Sequence, residues 1–255
     1  MCIVYFAKDL HPDYPVIAAF NRDEDYNREA AQADFWKDAP LVLAGRDFSS
    51  SGTWGGVSKK GRFGFLTNYR NPKLVKAHAK SRGELVSEFL KGSTSASEYL
   101  RKVVQPRQDE FNPFNLLIGD RNETCYYSNV TNEIQTLTKG FYGLSNHLLN
   151  TDWMKVRIGR AWFESYLKQQ RKPAPEDFTE LLLNSVQAPD EALPDTGIDR
   201  KIEKLISPIF IQMPGYGTRV SSVLLISSTG QIDFLEKTHV PKVNESIRKF
   251  RFQIG

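Results

Sequence analysis

The sequence predicts an α+β fold built on antiparallel sheets, not a doubly wound parallel one. Runs of period-two apolar patterning, punctuated by Asn, Asp, Gly and Pro, alternate with pairs of segments of helical period, giving strands, a helix pair, strands, a helix pair and strands. A parallel nucleotide-binding sheet would carry a glycine-rich phosphate loop, and neither standard spacing of one is present.

Cys2-Ile3-Val4-Tyr5-Phe6-Ala7 opens the first strand, and residues 16–20 return beside it after a loop holding Asp9, Pro12, Asp13 and Pro15. With that loop centred near His11 and Pro12, antiparallel register places Cys2 opposite Asn21 and Arg22. Residues 41–44 form a short strand, and residues 54–57 and 62–67 flank a Lys59-Lys60-Gly61 turn as a second hairpin ending at Asn68. Ser81-Arg82-Gly83-Glu84 opens a helix over residues 85–90 that stops at Gly92, and Ser95 caps another running to about Val104. Residues 114–119, 124–128, 133–137 and 141–144 predict four successive strands of an antiparallel meander. Helices follow from about Trp153 to Gln170 and from Pro175 to about Val186, the second with proline in its first turn. Residues 187–200, with Pro189, Pro194 and Gly197, are the longest irregular segment, and strands over 220–226 and 232–235 close the core.

A chain of 255 residues, 40% hydrophobic and 25% charged, reads as one soluble globular domain spanning 1–255. No transmembrane segment is expected, because no apolar stretch reaches bilayer length. Lys8, Asp9 and His11 interrupt the first apolar run too early for a signal peptide, which points to a cytoplasmic, reducing setting with Cys2 and Cys125 as free thiols. The net charge of +4 is scattered, and the cationic segments 73–82 and 248–251 lack interleaved exposed aromatics, so both read as solvated surface and no nucleic-acid partner is expected. His11, His78, His147 and His239 lie far apart with no Cys or His at ligand spacing, so neither a metal nor a cofactor is called for.

Cys2 directly follows Met1, so loss of one residue would leave a thiol and a free α-amine in the same residue, a nucleophile with its own base. The amine has an ordinary pKa of ~7.7–8.0 and the thiol ~8.5, so proton transfer between them costs little. Taken alone, Cys2 also reads as a small apolar residue opening a buried strand.

Met1-Cys2-Ile3, Asn21-Arg22-Asp23-Glu24, Gly45-Arg46-Asp47, Gly52-Thr53-Trp54-Gly55-Gly56, Leu66-Thr67-Asn68-Tyr69-Arg70, Gly143-Leu144-Ser145-Asn146 and Pro214-Gly215-Tyr216-Gly217-Thr218-Arg219 are spread over most of the chain. As a set they resemble the NRDE family, also called the transport and Golgi organisation protein 2 family. That family is similar to N-terminal-nucleophile hydrolases of the conjugated bile acid hydrolase and penicillin V acylase type. The resemblance implies a four-layer αββα sandwich with two antiparallel sheets, and catalytic positions at Cys2, Arg22, Asp23, Asn68, Asn146 and Arg219. It implies attack by Cys2 on the amide or thioester of a small acylated substrate, giving an acyl-enzyme that is hydrolysed or transferred. Arg22 or Arg219 would favour the thiolate, Asp23 would orient the α-amine, and Asn146 with backbone N–H groups near Asn68 would meet the oxyanion.

The chain departs from those hydrolases in that Arg22 and Asp23 are adjacent, where the enzymes separate the pair by two residues. Strand neighbours point to opposite faces, so either the strand bulges at Phe20 or only one of the two faces the thiol. Asp23 at the amine and Arg22 beside the sulfur is the arrangement expected. Plainer roles stand beside these: an Arg22–Asp23 ion pair, turn or cap duties for Asn68 and Asn146, a strand start at Arg219, and packing for Trp54 and Cys125. Family associations also leave open a non-catalytic protein that binds or carries haem or acyl-CoA on the same scaffold. Such a carrier has no need of an exposed N-terminal thiol.

Overall fold

The hairpin anticipated at the N-terminus is the pair β1 (Cys2–His11) and β2 (Tyr14–Asp25), in a computed structural model that describes residues 2–240 and 246–255. Next come β3 (Ala30–Trp36), β4 (Ala39–Asp47), β5 (Gly55–Ser58) and β6 (Phe63–Asn68). Helices α1 (Gly83–Lys91) and α2 (Ala96–Tyr99) precede β7 (Phe114–Gly119), β8 (Thr124–Ser128), β9 (Glu133–Thr136) and β10 (Gly140–Leu144). Helices α3 (Met154–Lys168), α4 (Thr179–Leu182) and α5 (Arg200–Leu205) lead to β11 (Gln212–Met213), β12 (Tyr216–Ile226), β13 (Gln231–Thr238) and β14 (Ser246–Gln253).

Among the described residues the strands form two seven-stranded sheets, one in the order β10-β1-β2-β12-β13-β14 with β11 on β12, the other running β3 to β9 in sequence. Every pairing within them is antiparallel. Strand alternation then builds the layers. Val4, Phe6, Val16, Ala18 and Phe20 face the second sheet and pack with Leu43, Val57, Phe63, Phe65 and Leu117. Their neighbours Ile3, Tyr5, Ala7, Ile17 and Ala19 face the other way, onto Phe163, Phe178 and Leu181 of the helical layer. The far side of the second sheet rests on Leu85, Phe89 and Leu100. The result is the αββα order of layers, helices outside and two sheets face to face.

Several elements differ from expectation. β10 does not complete a four-strand meander; it crosses to the first sheet and pairs with β1, Val4 opposite Leu144. Periodicity marks a strand but does not choose its partner. β3 went unforeseen because Ala30-Ala31-Gln32-Ala33-Asp34 has little β propensity, and tertiary pairing with β4 overrides it. The 248–251 stretch, read as solvated surface, lies in the edge strand β14; Phe250 packs against the inter-sheet core, while Lys249 and Arg251 point to solvent. The segment after Ser95 is α-helical for one turn and continues as a wider π turn over Leu100–Val104. After Pro175 there is a tight turn and the single-turn α4, and α5, capped by the Asp199 side chain, ends a stretch that had looked irregular. No helix among the described residues is long and apolar enough to cross a membrane.

Gly159 of α3 shows how tightly the helical layer sits on the first sheet. A Cβ there would lie 2.0 Å from Cε1 of Tyr5, whose ring is fully buried and whose hydroxyl donates to the Lys155 carbonyl at 2.7 Å. Gly159→Ala is therefore expected to destabilise the protein by about 1–3 kcal/mol through overpacking, read as a lower urea midpoint at unchanged m-value.

Candidate active site

β2 continues past the start of β1, so the first residue of one strand meets the last turn of side chains on the other. Cys2 pairs directly with Arg22, and the register runs without a shift from Cys2 to Lys8. The irregularity lies on the opposite neighbour: β12 pairs Thr218 with Asp23 and Val220 with Arg22, leaving Arg219 as the extra residue of a bulge. No bulge at Phe20 is needed. Arg22 and Asp23 keep strict alternation, with Arg22 on the inter-sheet face beside Cys2 and Asp23 on the face toward the helices.

Arg22 is buried, its Nη2 3.3 Å from Asp47 Oδ2 and its guanidinium 4.1 Å over the Trp54 ring. The same Asp47 oxygen accepts from Arg28 Nε at 2.7 Å, and the other accepts from the Ser49 N–H at 2.9 Å. Asp23 is also buried; Thr218 Oγ1 donates to its Oδ1 at 2.6 Å, and the Tyr216 hydroxyl donates to its backbone carbonyl at 3.2 Å. Asn21, two residues before Asp23, is spent on structure, donating to the carbonyls of Leu182 at 2.8 Å and Ile209 at 2.9 Å.

A cavity of about 180 Å³ opens over this strand end, lined by Cys2, Arg22, Asp23 and Asn68 among the residues anticipated from sequence. Asn146 and Arg219 stand behind its walls. Asn146 is fully buried and its Nδ2 donates to the Asn68 carbonyl at 2.9 Å, bracing that residue. Arg219 Nη1 donates to the carbonyls of Asp25 and Arg28, holding the turn that follows β2.

Sequence reasoning assigned Trp54 to packing and passed over Asp47, Arg28 and Arg82 as site residues, and all four line the same cavity. Their signal lay in the strings around Gly45 and Gly52. The Thr53 N–H donates to the Gly83 carbonyl at 3.2 Å, and a Cβ on Gly52 would fall 2.5 Å from the Gly83 carbonyl carbon, so only glycine lets the start of α1 bring Arg82 to the cavity. His147, the histidine nearest a site motif, has both ring nitrogens engaged, with the Tyr69 hydroxyl at 2.9 Å and Thr151 Oγ1 at 2.9 Å. No group of three His, Cys, Asp or Glu among the described residues is placed to hold a metal ion.

The sequence matches the model of the family described as Transport and Golgi organisation 2 over residues 1–241. The chain belongs to that family. A Transport and Golgi organization protein 2 homolog from Bos taurus is 38% identical over 93% of each chain. The Homo sapiens homolog is 34% identical over 95% of this chain and 94% of its own. Among solved structures, the C2A mutant of conjugated bile acid hydrolase from Clostridium perfringens is similar with a TM-score of 0.52, at 11% identity and covering 99% of this chain and 97% of that one. At such identity the likeness is one of fold, and it agrees with the αββα layering. The chain thus shares its fold with a conjugated bile acid hydrolase.

Burial dominates the electrostatics of the site. It raises the Cys2 thiol above its ordinary range, and the Asp23 charge adds to this, while the Asp23 backbone N–H and the Arg22 guanidinium pull the other way. Burial likewise pushes Asp23 up to about 6, against the Lys155 charge and the Thr218 hydrogen bond. Lys155 of α3, another residue the sequence did not flag, is lowered to about 8 by burial, opposed by Asp23; its Nζ donates to the Ile206 carbonyl at 2.9 Å. Arg82 is lowered by burial, with Cys2 and Glu24 acting against that.

Asp23 has a stability consequence of definite sign. Its native pKa of about 6 lies above the unfolded value, so the native state holds the proton more tightly and stability falls as pH rises from about 4 to about 6. The full effect is roughly 3 kcal/mol. Asp23→Asn, which still accepts from Thr218, is expected to flatten that part of the curve in urea denaturation measured across this range, and an unchanged slope would count against a buried, proton-holding Asp23.

Proposed function

We propose that this chain is a cysteine N-terminal-nucleophile hydrolase or acyltransferase that cleaves the amide or thioester of a small acylated substrate through an acyl-enzyme on Cys2. The observation that carries the reading is the direct pairing of Cys2 with Arg22 at the floor of a cavity also lined by Asp23 and Asn68. The likeness in fold to a conjugated bile acid hydrolase supports it further.

In this reading, removal of Met1 frees the α-amine of Cys2. The amine accepts the thiol proton, and the sulfur attacks the carbonyl carbon, forming an S–C bond. As the tetrahedral intermediate collapses, the bond from carbon to the leaving nitrogen or sulfur breaks, and the ammonium returns its proton to that leaving group. A water, deprotonated by the same amine, then attacks the thioester, releasing the carboxylic acid and restoring the thiol. A second acceptor in place of water makes the reaction an acyl transfer. Because burial holds the thiol protonated, the adjacent base and the Arg22 charge both matter to thiolate formation. Asp23 orients the amine from the helical side, and the Asn68 amide is the oxyanion donor on the cavity wall, with Asn146 fixing the backbone beneath it.

The test is the intact mass of untagged protein before and after a limiting dose of iodoacetamide. Loss of the Met1 mass and fast single labelling at Cys2 are expected, with Cys125 spared because it is buried and its thiol is pushed up to about 11. Cys2→Ala is expected to cut turnover of a susceptible thioester by ~10³-fold or more without a change in unfolding free energy beyond about 1 kcal/mol. Retained methionine with sluggish labelling would instead favour a non-catalytic carrier of haem or acyl-CoA.

A further inference from the structure

We propose that Arg82 is a further catalytic residue of the Cys2 reaction, its guanidinium donating to the carbonyl oxygen of the substrate and holding the negative charge that develops there. The inference rests on the Cys2 reading and adds to it a charged partner for Asn68.

Four cations line the cavity with Cys2, and three of them are committed to carboxylates. Arg22 lies 3.3 Å from Asp47 and 3.8 Å from Glu24, Arg28 lies 2.7 Å from Asp47 and 3.9 Å from Glu24, and Lys80 lies 2.8 Å from Glu110. Arg82 makes no ion pair among the described residues. Its one hydrogen bond among them runs from Nη1 to the Pro113 carbonyl at 3.0 Å. Nε and Nη2 are left without a protein acceptor, and neither is sealed from solvent as Arg22 Nη1 is. Arg82 therefore brings to the cavity a charge that no carboxylate cancels and N–H groups free to donate.

Placement and size bring these donors to the reacting atoms. Arg82 directly precedes α1, and the close approach of Gly52 to Gly83 fixes where it stands. The guanidinium is planar and rigid, so one N–H can hold Pro113 while another is presented to a ligand. The cavity of about 180 Å³ is little larger than the roughly 150 Å³ that accepts a benzene, so a carbonyl seated over the Cys2 sulfur has every wall close by. Burial strengthens the effect, because a charge in a poorly solvated site acts on a developing oxyanion more strongly than one in water. Cys2 is the charge that does most to offset that burial at Arg82, as nearness of the two groups requires.

In the addition step the sulfur forms its bond to the carbonyl carbon, the π pair moves onto oxygen, and Arg82 and Asn68 donate to that oxygen. When the pair returns, the bond to the leaving nitrogen or sulfur breaks. Arg82 stays protonated throughout.

Two reactions of Cys2 separate this role from others. Acetyl transfer from phenyl thioacetate passes through an oxyanion; alkylation by iodoacetamide, in which the sulfur displaces iodide as the S–C bond forms, does not. Both consume the thiolate, so a change in thiolate population alters the two rates alike and leaves their ratio fixed. With the full chain in excess, acetylation is followed by thiophenol release and alkylation by intact mass. In Arg82→Gln the ratio of acetylation to alkylation rate is expected to fall about 10²-fold, the loss typical of one oxyanion donor. Arg82→Lys keeps the charge but not the fork, and its ratio is expected about tenfold below that of the wild type. A wild-type ratio in Arg82→Gln overturns the proposal and leaves the nucleophile reading intact. Alkylation of wild-type Cys2 without acetylation overturns it as well, since no oxyanion is then being held. Should Arg82→Gln fail to fold by its urea midpoint, Arg82→Lys decides, and equality with the wild type overturns the proposal. Inertness of wild-type Cys2 to both reagents sinks the nucleophile reading, and the proposal with it.

Discussion

A guanidinium shut between two sheets is the constraint on which this end of the molecule depends. Arg22 projects from the first sheet into the inter-sheet space, where an unpaired charge would cost several kcal/mol. It is tolerated because Asp47, at the end of β4 in the other sheet, reaches Nη2, and because Trp54 covers its face. These contacts join the sheets where their hydrophobic packing gives out, and they hold open a cavity that apolar side chains would otherwise fill. A second buried carboxylate, Glu236 of β13, makes a comparable tie to the other sheet by accepting the Ala33 N–H of β3 at 2.5 Å. Burial pushes its carboxyl up to about 7.

The adjacency of Arg22 and Asp23 gives the site two sides. On the inter-sheet side are the thiol, Arg22 and Trp54; on the helical side are Thr218 and the buried Lys155, with Asp23 between them, bonded to Thr218 and also part of the cavity wall. The bulge at Arg219 lets β12 follow β2 past this point, with Thr218 beneath Asp23 and Arg219 free to hold the turn carbonyls. Charges on the helical side reach the thiol through the thickness of one strand, so a group in no contact with the cavity still contributes to its electrostatics. Asn146 acts in a similarly indirect way, by fixing Asn68.

Much of this was legible in the chain. Period-two runs and turn residues were enough for the first hairpin, and counting residues across its loop set Cys2 opposite Asn21 and Arg22; the register shift between Lys8 and His11 makes the partner Arg22. Local pattern failed where the decision was not local. The strand character of β10 was plain, but its transfer to the first sheet depends on packing of Phe141 against Tyr5 and Phe163. β14 was hidden because its outward positions are charged, as suits an edge strand, and only the inward Phe250 and Phe252 reveal it.

The sequence by itself determined the antiparallel α+β class, the hairpin that brings Cys2 to the Asn21-Arg22 end of its neighbour, and the family strings that bracket the site, because each follows from periodicity, turn chemistry or residue identity over short spans. Tertiary structure alone decided that Trp54, Asp47 and Arg82 join Cys2 while Asn146 and Arg219 stand behind the wall. It also decided that burial, more than any single charge, governs the protons of Cys2, Asp23 and Lys155. The reason is that desolvation and close approach belong to the space between elements, which no spacing along the chain encodes.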